Sequence, residues 1–205
     1  MKSQNKSRNK SRNKQTIILI NGAKRSGKDH SARIIKDKLS VNHTTSIMAF
    51  ADPIKQVIAD TFNISLEELN DYKNINQEIC IDNGGRYEEI SDFRTIIQRF
   101  GNEAMKSMFG EKVWSNLLLD KALQCKSDFV IVPDFRFTIE EQVIIESDFN
   151  VITLKIKNDT AINEDTHASE RELDNYKFDY IINNSGYTKK LDNYINSFIS
   201  TKLDV

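Results

Sequence analysis

The stretch QTIILINGAKRSGKDHSARIIKDKL, residues 15–39, constrains the fold more than any other part of the chain. A short β-branched apolar run leads into a loop with two glycines, and apolar residues at helical spacing follow. The loop follows the phosphate-binding pattern G-x-x-x-x-G-K-[ST] from Gly22 through Lys28, but Asp29 replaces the final Ser or Thr. This order of strand, loop and helix predicts a site for a nucleoside triphosphate. The alternative is a chance match in an ordinary glycine turn.

Each part of this loop suits a phosphate chain. Gly22 and Gly27 let backbone N–H groups approach phosphate oxygens, and the helix that starts near Lys28 directs its positive end at them. The Lys28 ammonium reaches between the β- and γ-phosphates. Lys24 and Arg25 add charge inside the loop, where they either clamp a transferring phosphoryl group or are simply solvated.

Asp29 has two interpretations. A carboxylate beside phosphates is repelled unless a cation lies between them, and Mg²⁺ held directly or through water would supply that cation. The alternative is that Asp29 only caps the helix, where the helix dipole favours a negative charge.

The composition is that of one globular domain. The chain has 205 residues, of which 39% are hydrophobic and 29% charged, enough for one real core but too few for two. The two cysteines, Cys80 and Cys125, lie far apart without a partner pattern, so no disulfide framework or zinc site is indicated and a reducing cytoplasm is expected. The apolar runs are much shorter than the roughly 18 residues of a membrane span, so a soluble protein is expected.

The first 14 residues, MKSQNKSRNKSRNK, form a basic tail with no apolar anchor beyond Met1. Such a segment cannot bury a core and is expected to be disordered. It holds six of the 29 basic residues, so the remaining chain carries 23 basic against 30 acidic side chains. The tail is interpreted as a solvated extension or as an arm that binds nucleic acid or another partner, and the acidic body argues against a nucleic-acid binder.

Strand-like and helix-like segments alternate along the rest of the chain. Strands are predicted at residues 15–21, 44–50, 128–134, 150–157 and 178–183. Helices are predicted at residues 29–39, 53–62, 91–110, 138–147 and 188–200, with a loop-rich insert before residue 91. Alternating elements of this kind predict an α/β fold with a parallel sheet flanked by helices.

Several segments carry a resemblance to a known family. They are GAKRSGKD, FADPIK, RTIIQRFGNE followed by Trp114, VPDFRF, and HASERELDNYKFDYIINNSG. In this order, from Ile17 to the C-terminal helix, they resemble the phage deoxynucleoside monophosphate kinases, a family of P-loop kinases. The loop and the last segment also resemble animal phosphomevalonate kinase, whereas FADPIK favours a nucleotide acceptor. In this branch G-K-D is common, but His30 replaces the usual Thr.

The resemblance implies the domain organisation. Residues 15–205 would form a P-loop monophosphate kinase domain after the tail of residues 1–14, with an acceptor-binding insert at about 52–125 and a mobile lid at about 158–175. Together with the loop pattern, it assigns ATP binding to Gly22, Lys24, Arg25, Ser26, Gly27, Lys28, Asp29, His30 and Asn183.

The resemblance also implies a second, acceptor-binding cluster. Its members are Asp52, Lys55, Arg94, Gln98, Gly101, Asn102, Trp114, Arg136 and Glu170. Lys55 would dock the acceptor phosphate, or is a surface lysine. Arg94 and Gln98 lie one helical turn apart, where they face one ligand or form a solvated polar stripe. Trp114 either stacks on a base or belongs to the core.

Asp134 and Arg136 follow a buried strand, at the edge where open α/β sheets bind ligands. Asp134 would hold the water shell of Mg²⁺ or accept a proton, and Arg136 would bind phosphate; the alternative is a structural Asp–Arg pair. Glu170 and Arg171 resemble lid residues, and His167 is a hydrogen-bonding lid residue rather than a catalytic base. The catalytic set is thus Lys28, Arg25, Asp29, Arg136 and Asp134, with Asp29 and Asp134 as metal ligands.

The expected activity is ATP-dependent phosphorylation of deoxynucleoside monophosphates with Mg²⁺ as cofactor. The expected partners are ATP and the monophosphate, with no membrane and no nucleic acid, and a homodimer is left open. One alternative is a small-molecule kinase similar to phosphomevalonate kinase. The alternative from another class is a P-loop regulator, which would need no second cationic cluster.

Overall fold

The computed structural model of the chain describes residues 14–82, 88–158, 172–184 and 188–203. Of the predicted basic tail, Lys14 alone lies within these ranges, and its ammonium forms an exposed ion pair with Asp148 at 2.7 Å. The lid candidates Glu170 and Arg171, and also His167, lie outside the described residues.

A five-stranded parallel sheet forms the centre of the described part of the chain. In spatial order its strands are β2 (Thr45–Ile47), β5 (Phe129–Val132), β1 (Thr16–Asn21), β6 (Asn150–Lys157) and β7 (Tyr180–Asn183). The central strands are apolar almost throughout because helices cover both faces of the sheet. The predicted α/β class with a parallel sheet is confirmed.

The two faces of the sheet carry separate cores. Ile18 and Ile20 of β1 pack with α1 (Lys28–Leu39) and α8 (Thr188–Lys202). Ile17 and Leu19 point the other way, as successive strand residues do, and join a larger cluster. That cluster includes side chains from α2 (Asp52–Phe62), α6 (Val113–Cys125) and α7 (Thr138–Glu146).

The insert before residue 91 is more ordered than predicted. The loop-rich expectation is wrong here, because α3 (Leu66–Asn74) and an antiparallel pair, β3 (Glu78–Asp82) and β4 (Glu88–Asp92), occupy it. A capping box starts α3: the backbone N–H of Glu68 donates to Ser65 Oγ at 3.1 Å, and the N–H of Ser65 donates to Glu68 Oε2 at 2.8 Å. Leu69 then anchors the helix in the core.

The helix predicted at residues 91–110 is helical over nearly this range but is not uniform. It consists of α4 (Phe93–Gln98), a π-helical segment (Arg99–Met105) and α5 (Lys106–Phe109). Asp92 caps it by accepting the backbone N–H of Thr95 at 3.1 Å. A π-helical turn is wider than an α-helical one, and such turns are frequent at functional sites.

The connections place a binding edge at the end of β1. The chain leaves β1 for β2 and β5 on one side and later adds β6 and β7 on the other. Ligands of open α/β sheets bind outside the carboxyl ends of the strands where the order reverses in this way. Among the described residues, the helices are all too short or too polar to cross a membrane.

Candidate active site

A cleft of about 700 Å³ lies at this edge of the sheet. The loop after β1, the segment around the start of α2, the helices α3 and α4, and the segment after β5 all contribute side chains to it. Most of the predicted site residues line this cleft, namely Lys24, Arg25, Lys28, Asp29, Asp52, Lys55, Arg94, Gln98, Gly101, Asn102, Trp114, Asp134 and Arg136. The fold therefore brings the predicted ATP loop and the predicted acceptor cluster to one cavity.

The loop after β1 has the backbone of an anion-binding turn. Arg25 and Gly27 adopt left-handed φ values of 64° and 95°, a backbone conformation found in turns whose successive N–H groups bind anions. A Cβ on Gly27 would lie 2.7 Å from Asn184 Nδ2, and one on Gly22 would clash with Ser26 Oγ and lie 2.8 Å from the carbonyl of Ile156. Both positions therefore need glycine, as the sequence pattern predicted.

Lys28 and Asp29 occupy the first turn of α1. Lys28 Nζ donates to the carbonyl of Ala23 at 3.5 Å and lies 3.9 Å from Asp29 Oδ2. The side chain of Asp29 is 68% exposed, whereas that of Lys28 is 15% exposed. Gly27, not Asp29, is the N-cap of this helix, and Asp29 is an acidic residue of its first turn that lines the cleft.

Five of the predicted ATP-site residues do not line the cleft: the two glycines of the loop, Ser26, His30 and Asn183. Ser26 is buried, and its hydroxyl has no hydrogen-bond partner among the described residues. His30 is exposed on α1, and Asn183 is exposed at the end of β7. The neighbouring Asn184 contacts the loop, since its Nδ2 donates to the carbonyl of Ser26 at 2.9 Å.

Asp134 binds the backbone after β2. Its Oδ1 accepts the N–H of Phe50 and its Oδ2 the N–H of Ala51, both at 3.0 Å. Burial raises the pKa of Asp134, against the opposing effects of these N–H donors and of the charges on Lys55 and Arg136. The geometry gives Asp134 a positioning role, because it joins the end of β5 to the segment that leads into α2.

Asp52 stabilises the same segment from the helix side. Its Oδ2 accepts the N–H of Ala49 at 2.8 Å, at the first residue of α2. Lys55 lies one turn later on α2, half-buried, and faces the cleft. Asp52 therefore fixes the start of the helix that carries Lys55.

The helical segment 93–109 supplies the opposite wall. Arg94 and Gln98 both face the cleft from α4, and Gly101 and Asn102 face it from the π-helical segment. Trp114 is 6% exposed and belongs to the core, and its indole N–H donates to the carbonyl of Gly101 at 3.1 Å. This core residue thus reaches the cavity with only a small part of its surface.

Lys73 and Glu140 are among the cleft residues that the sequence did not predict. Lys73 lines the cleft from α3, a helix that the capping pattern S-x-x-E at residues 65–68 would have revealed. Glu140 is 5% exposed on α7, and its Oε2 accepts the N–H groups of Arg136 at 2.9 Å and Phe137 at 3.0 Å. Burial raises the pKa of Glu140 to about 8.

The chain is similar to solved kinases at low sequence identity. A solved APS kinase from Mycobacterium tuberculosis is 10% identical, with a TM-score of 0.45, over 92% of this chain and 99% of that chain. A shikimate kinase from Acinetobacter baumannii in complex with shikimate is 13% identical, with a TM-score of 0.44, over 93% and 96% of the two chains. Among curated proteins no match was found.

A family model gives the decisive match. The model described as deoxynucleotide monophosphate kinase matches residues 16–89 and 69–195, which together span most of the chain. The match confirms the kinase family that the sequence motifs indicated. The chain belongs to the deoxynucleotide monophosphate kinase family.

Proposed function

We propose that the protein transfers the γ-phosphoryl group of ATP to the 5′-phosphate of deoxynucleoside monophosphates. The observation that carries this proposal is the cleft with two cationic ends. Lys24, Arg25 and Lys28 lie at the phosphate loop, and Lys55 and Arg94 lie on the helices opposite. Each cationic end can bind one phosphate-bearing substrate. The cavity can therefore hold the donor and the acceptor close together, as the reaction requires.

At the loop, the proposed donor is ATP. Its phosphates would accept hydrogen bonds from the backbone N–H groups of the loop, and Lys28 would neutralise charge between the β- and γ-phosphates. An oxygen of the acceptor phosphate attacks the γ-phosphorus in line, the bond from that phosphorus to the β-γ bridging oxygen breaks, and ADP leaves. Arg25 and Arg136 would stabilise the charge on the equatorial oxygens. No general base is needed, because the acceptor phosphate is already an anion near neutral pH.

The residues near the loop fit Mg²⁺ bound together with ATP. Mg²⁺ in kinases is held by one or two carboxylates and by substrate phosphates, and it would supply charge neutralisation between the phosphate groups. Asp29 offers an exposed carboxylate beside Lys28. Asp134 already accepts a backbone N–H on each oxygen, so we assign it contact through water at most.

At the other end, the cleft suits a nucleobase. Gln98 and Asn102 supply amide groups that can pair with base edges, and Trp114 supplies an aromatic surface. A phosphomevalonate acceptor would use the cations but would leave these amides without a polar partner. This difference supports a nucleotide acceptor.

The test is a coupled assay of ADP release with ATP and each deoxynucleoside monophosphate, with phosphomevalonate as a competing acceptor. We expect activity on several deoxynucleotides, dGMP and dTMP among them. Gln98→Ala should raise the KM for the acceptor about tenfold, as expected for one lost hydrogen bond, with little change in the KM for ATP. Trp114→Ala is less informative about acceptor binding, because removing a buried indole side chain costs about 3–5 kcal/mol of stability.

Arg99→Ala is the matched control for Gln98→Ala. Arg99 is the next residue along the chain, but it lies outside the cleft and its Nε pairs with Glu103 at 3.4 Å. Its replacement should leave both KM values unchanged. Transfer to phosphomevalonate alone would overturn the proposed acceptor. ATP binding without transfer to any monophosphate would favour a nucleotide-binding regulator instead.

A further inference from the structure

Three helices that line the cleft, α2, α3 and α4, meet at one aromatic cluster. Phe93 at the start of α4 is 3% exposed. The ring of Tyr72 from α3 stacks on it, with centroids 5.6 Å apart and an interplanar angle of 15°. The ring of Phe62 from α2 meets it edge-on at 5.2 Å and 79°. This cluster fixes α2, α3 and α4 relative to one another.

Each of these helices carries a cation as well as its aromatic residue. Lys73 follows Tyr72 and Arg94 follows Phe93 in the sequence, so the stacked rings bring the two cations to neighbouring positions. Lys55 precedes Phe62 by two helical turns and lies on the same side of α2. All three cations line the cleft.

The charges of the other two cations act on Lys73. Burial, and then the positive charges of Lys55 and Arg94, lower the pKa of Lys73 to about 8. Lys28 of the phosphate loop also lowers this pKa, and Asp29 raises it, so Lys73 faces the loop as well. No carboxylate of the described residues forms a salt bridge with Lys55 or Lys73.

We propose that Lys73 is a third ligand of the acceptor's phosphate group and binds this dianion together with Lys55 and Arg94. The inference rests on the proposed function, because it assigns a residue to the acceptor half of that site. A phosphate monoester offers three oxygens and nearly two negative charges, which matches three converging cations. Because Lys73 also faces the loop, it holds the acceptor phosphate on the side of the γ-phosphate.

The proposal predicts proton uptake when the acceptor binds. At pH 8 about half of the Lys73 side chains are neutral, since the pKa of Lys73 is about 8. A bound dianion stabilises the ammonium form, so acceptor binding should draw up to about half a proton from the buffer. The phosphate monoester contributes little at this pH, because its second pKa is about 6.

The experiment uses the full chain with dGMP and dTMP as acceptors, or whichever deoxynucleotide the wild type phosphorylates. We would measure kcat, both KM values, and proton uptake by calorimetry at pH 8 in buffers of different ionisation enthalpy. Lys73→Met should raise the acceptor KM about 10- to 100-fold, as expected for one lost charge-assisted hydrogen bond, and change the ATP KM far less. Lys73→Arg should restore most of the acceptor affinity but not the proton uptake, because arginine does not titrate.

Two controls isolate Lys73. Lys121→Met removes an exposed charge on α6 outside the cleft and should change none of these quantities. Glu140→Gln removes the other cleft residue with a pKa of about 8, and the proton uptake due to Lys73 should persist in it. If Lys73→Met does not fold, Lys73→Arg and Glu140→Gln still decide the point through proton uptake.

The outcomes separate this inference from the proposed function. A wild-type protein without transfer to any deoxynucleotide would overturn the proposed function, and this inference with it. A wild-type protein that transfers phosphate, beside a Lys73→Met variant with unchanged acceptor KM, would overturn the inference alone. Proton uptake that is unaffected by Lys73→Arg would also overturn it.

Discussion

Replacing Asp134 by Asn separates a positioning role from a metal-binding role for this carboxylate. In the structure each carboxylate oxygen accepts one backbone N–H, from Phe50 and from Ala51, at 3.0 Å. Asn keeps one acceptor oxygen but turns an NH₂ group towards the other N–H. One of the two backbone N–H groups then loses its acceptor and faces the NH₂ group of Asn, which is also a donor.

The size of the effect follows from these contacts. An unsatisfied buried N–H costs about 1–3 kcal/mol, and the remaining bond to a neutral amide is weaker than one to a carboxylate. We therefore expect Asp134→Asn to lower the free energy of unfolding by about 2–4 kcal/mol, out of the roughly 5–15 kcal/mol typical of a domain. For a chain of this size, that corresponds to a fall in Tm of about 4–16 °C. The acceptor KM should also rise, because the segment 49–52 sets the start of the helix that carries Lys55.

Asp128→Asn is the matched control. Asp128 comes directly before β5, whereas Asp134 follows this strand. Oδ2 of Asp128 accepts hydrogen bonds from the backbone N–H of Thr44 at 2.8 Å and from the Thr44 hydroxyl at 2.7 Å. Because the single amide oxygen of Asn can still accept both of these hydrogen bonds, this variant should keep most of its stability and should leave the acceptor KM unchanged. Thermal melts, urea titrations and steady-state kinetics on both variants give the comparison. An Asp134→Asn protein with wild-type Tm and a large loss of kcat would refute the positioning role and favour a metal ligand.

Two further predictions concern the other carboxylates of the cleft. Asp29→Asn keeps the shape of the side chain but removes the charge that a hard cation prefers. Activity should therefore fall and recover partly at raised Mg²⁺, with an unchanged Tm. Activity equal to that of the wild type at all Mg²⁺ concentrations would exclude Asp29 as a metal ligand. Because the folded-state pKa of Glu140 is about 8 and its ordinary value is 4.5, the stability due to this group is fully present below pH 4.5 and is lost as the pH rises through 8. Glu140→Gln should therefore lose less stability than the wild type between pH 5 and pH 8 in denaturant titrations, and parallel pH profiles would contradict the buried-acid interpretation.

Local patterns predicted the part of the site that is continuous in sequence. The loop from Gly22 to Asp29 could be predicted because its glycines, its lysine and the flanking strand and helix are set by neighbouring residues. The predicted acceptor residues Lys55, Arg94 and Arg136 also reach the cleft, although it was the resemblance of short motifs that brought them into the prediction. In both cases the signal lies within a few consecutive residues.

Other parts of the site depend on contacts between distant residues. Asn184 meets the loop only because β7 ends beside it, and no local pattern distinguishes it from Asn183. The role of Asp134 depends on two N–H groups that lie 83 and 84 residues away along the chain. The sequence places a carboxylate at the end of a strand but does not say which donors it meets.

The amino-acid sequence by itself determined the parallel α/β class and the phosphate loop, because periodicity and glycine placement act over a few residues. Tertiary structure decided which charged side chains share a cavity and how deeply each is buried. The stacking of Tyr72 on Phe93 brings Lys73 beside Arg94, and burial with charge repulsion then lowers the pKa of Lys73 to about 8. Desolvation and electrostatic interactions depend on distances in space, so these properties of the site emerge only when the helices pack.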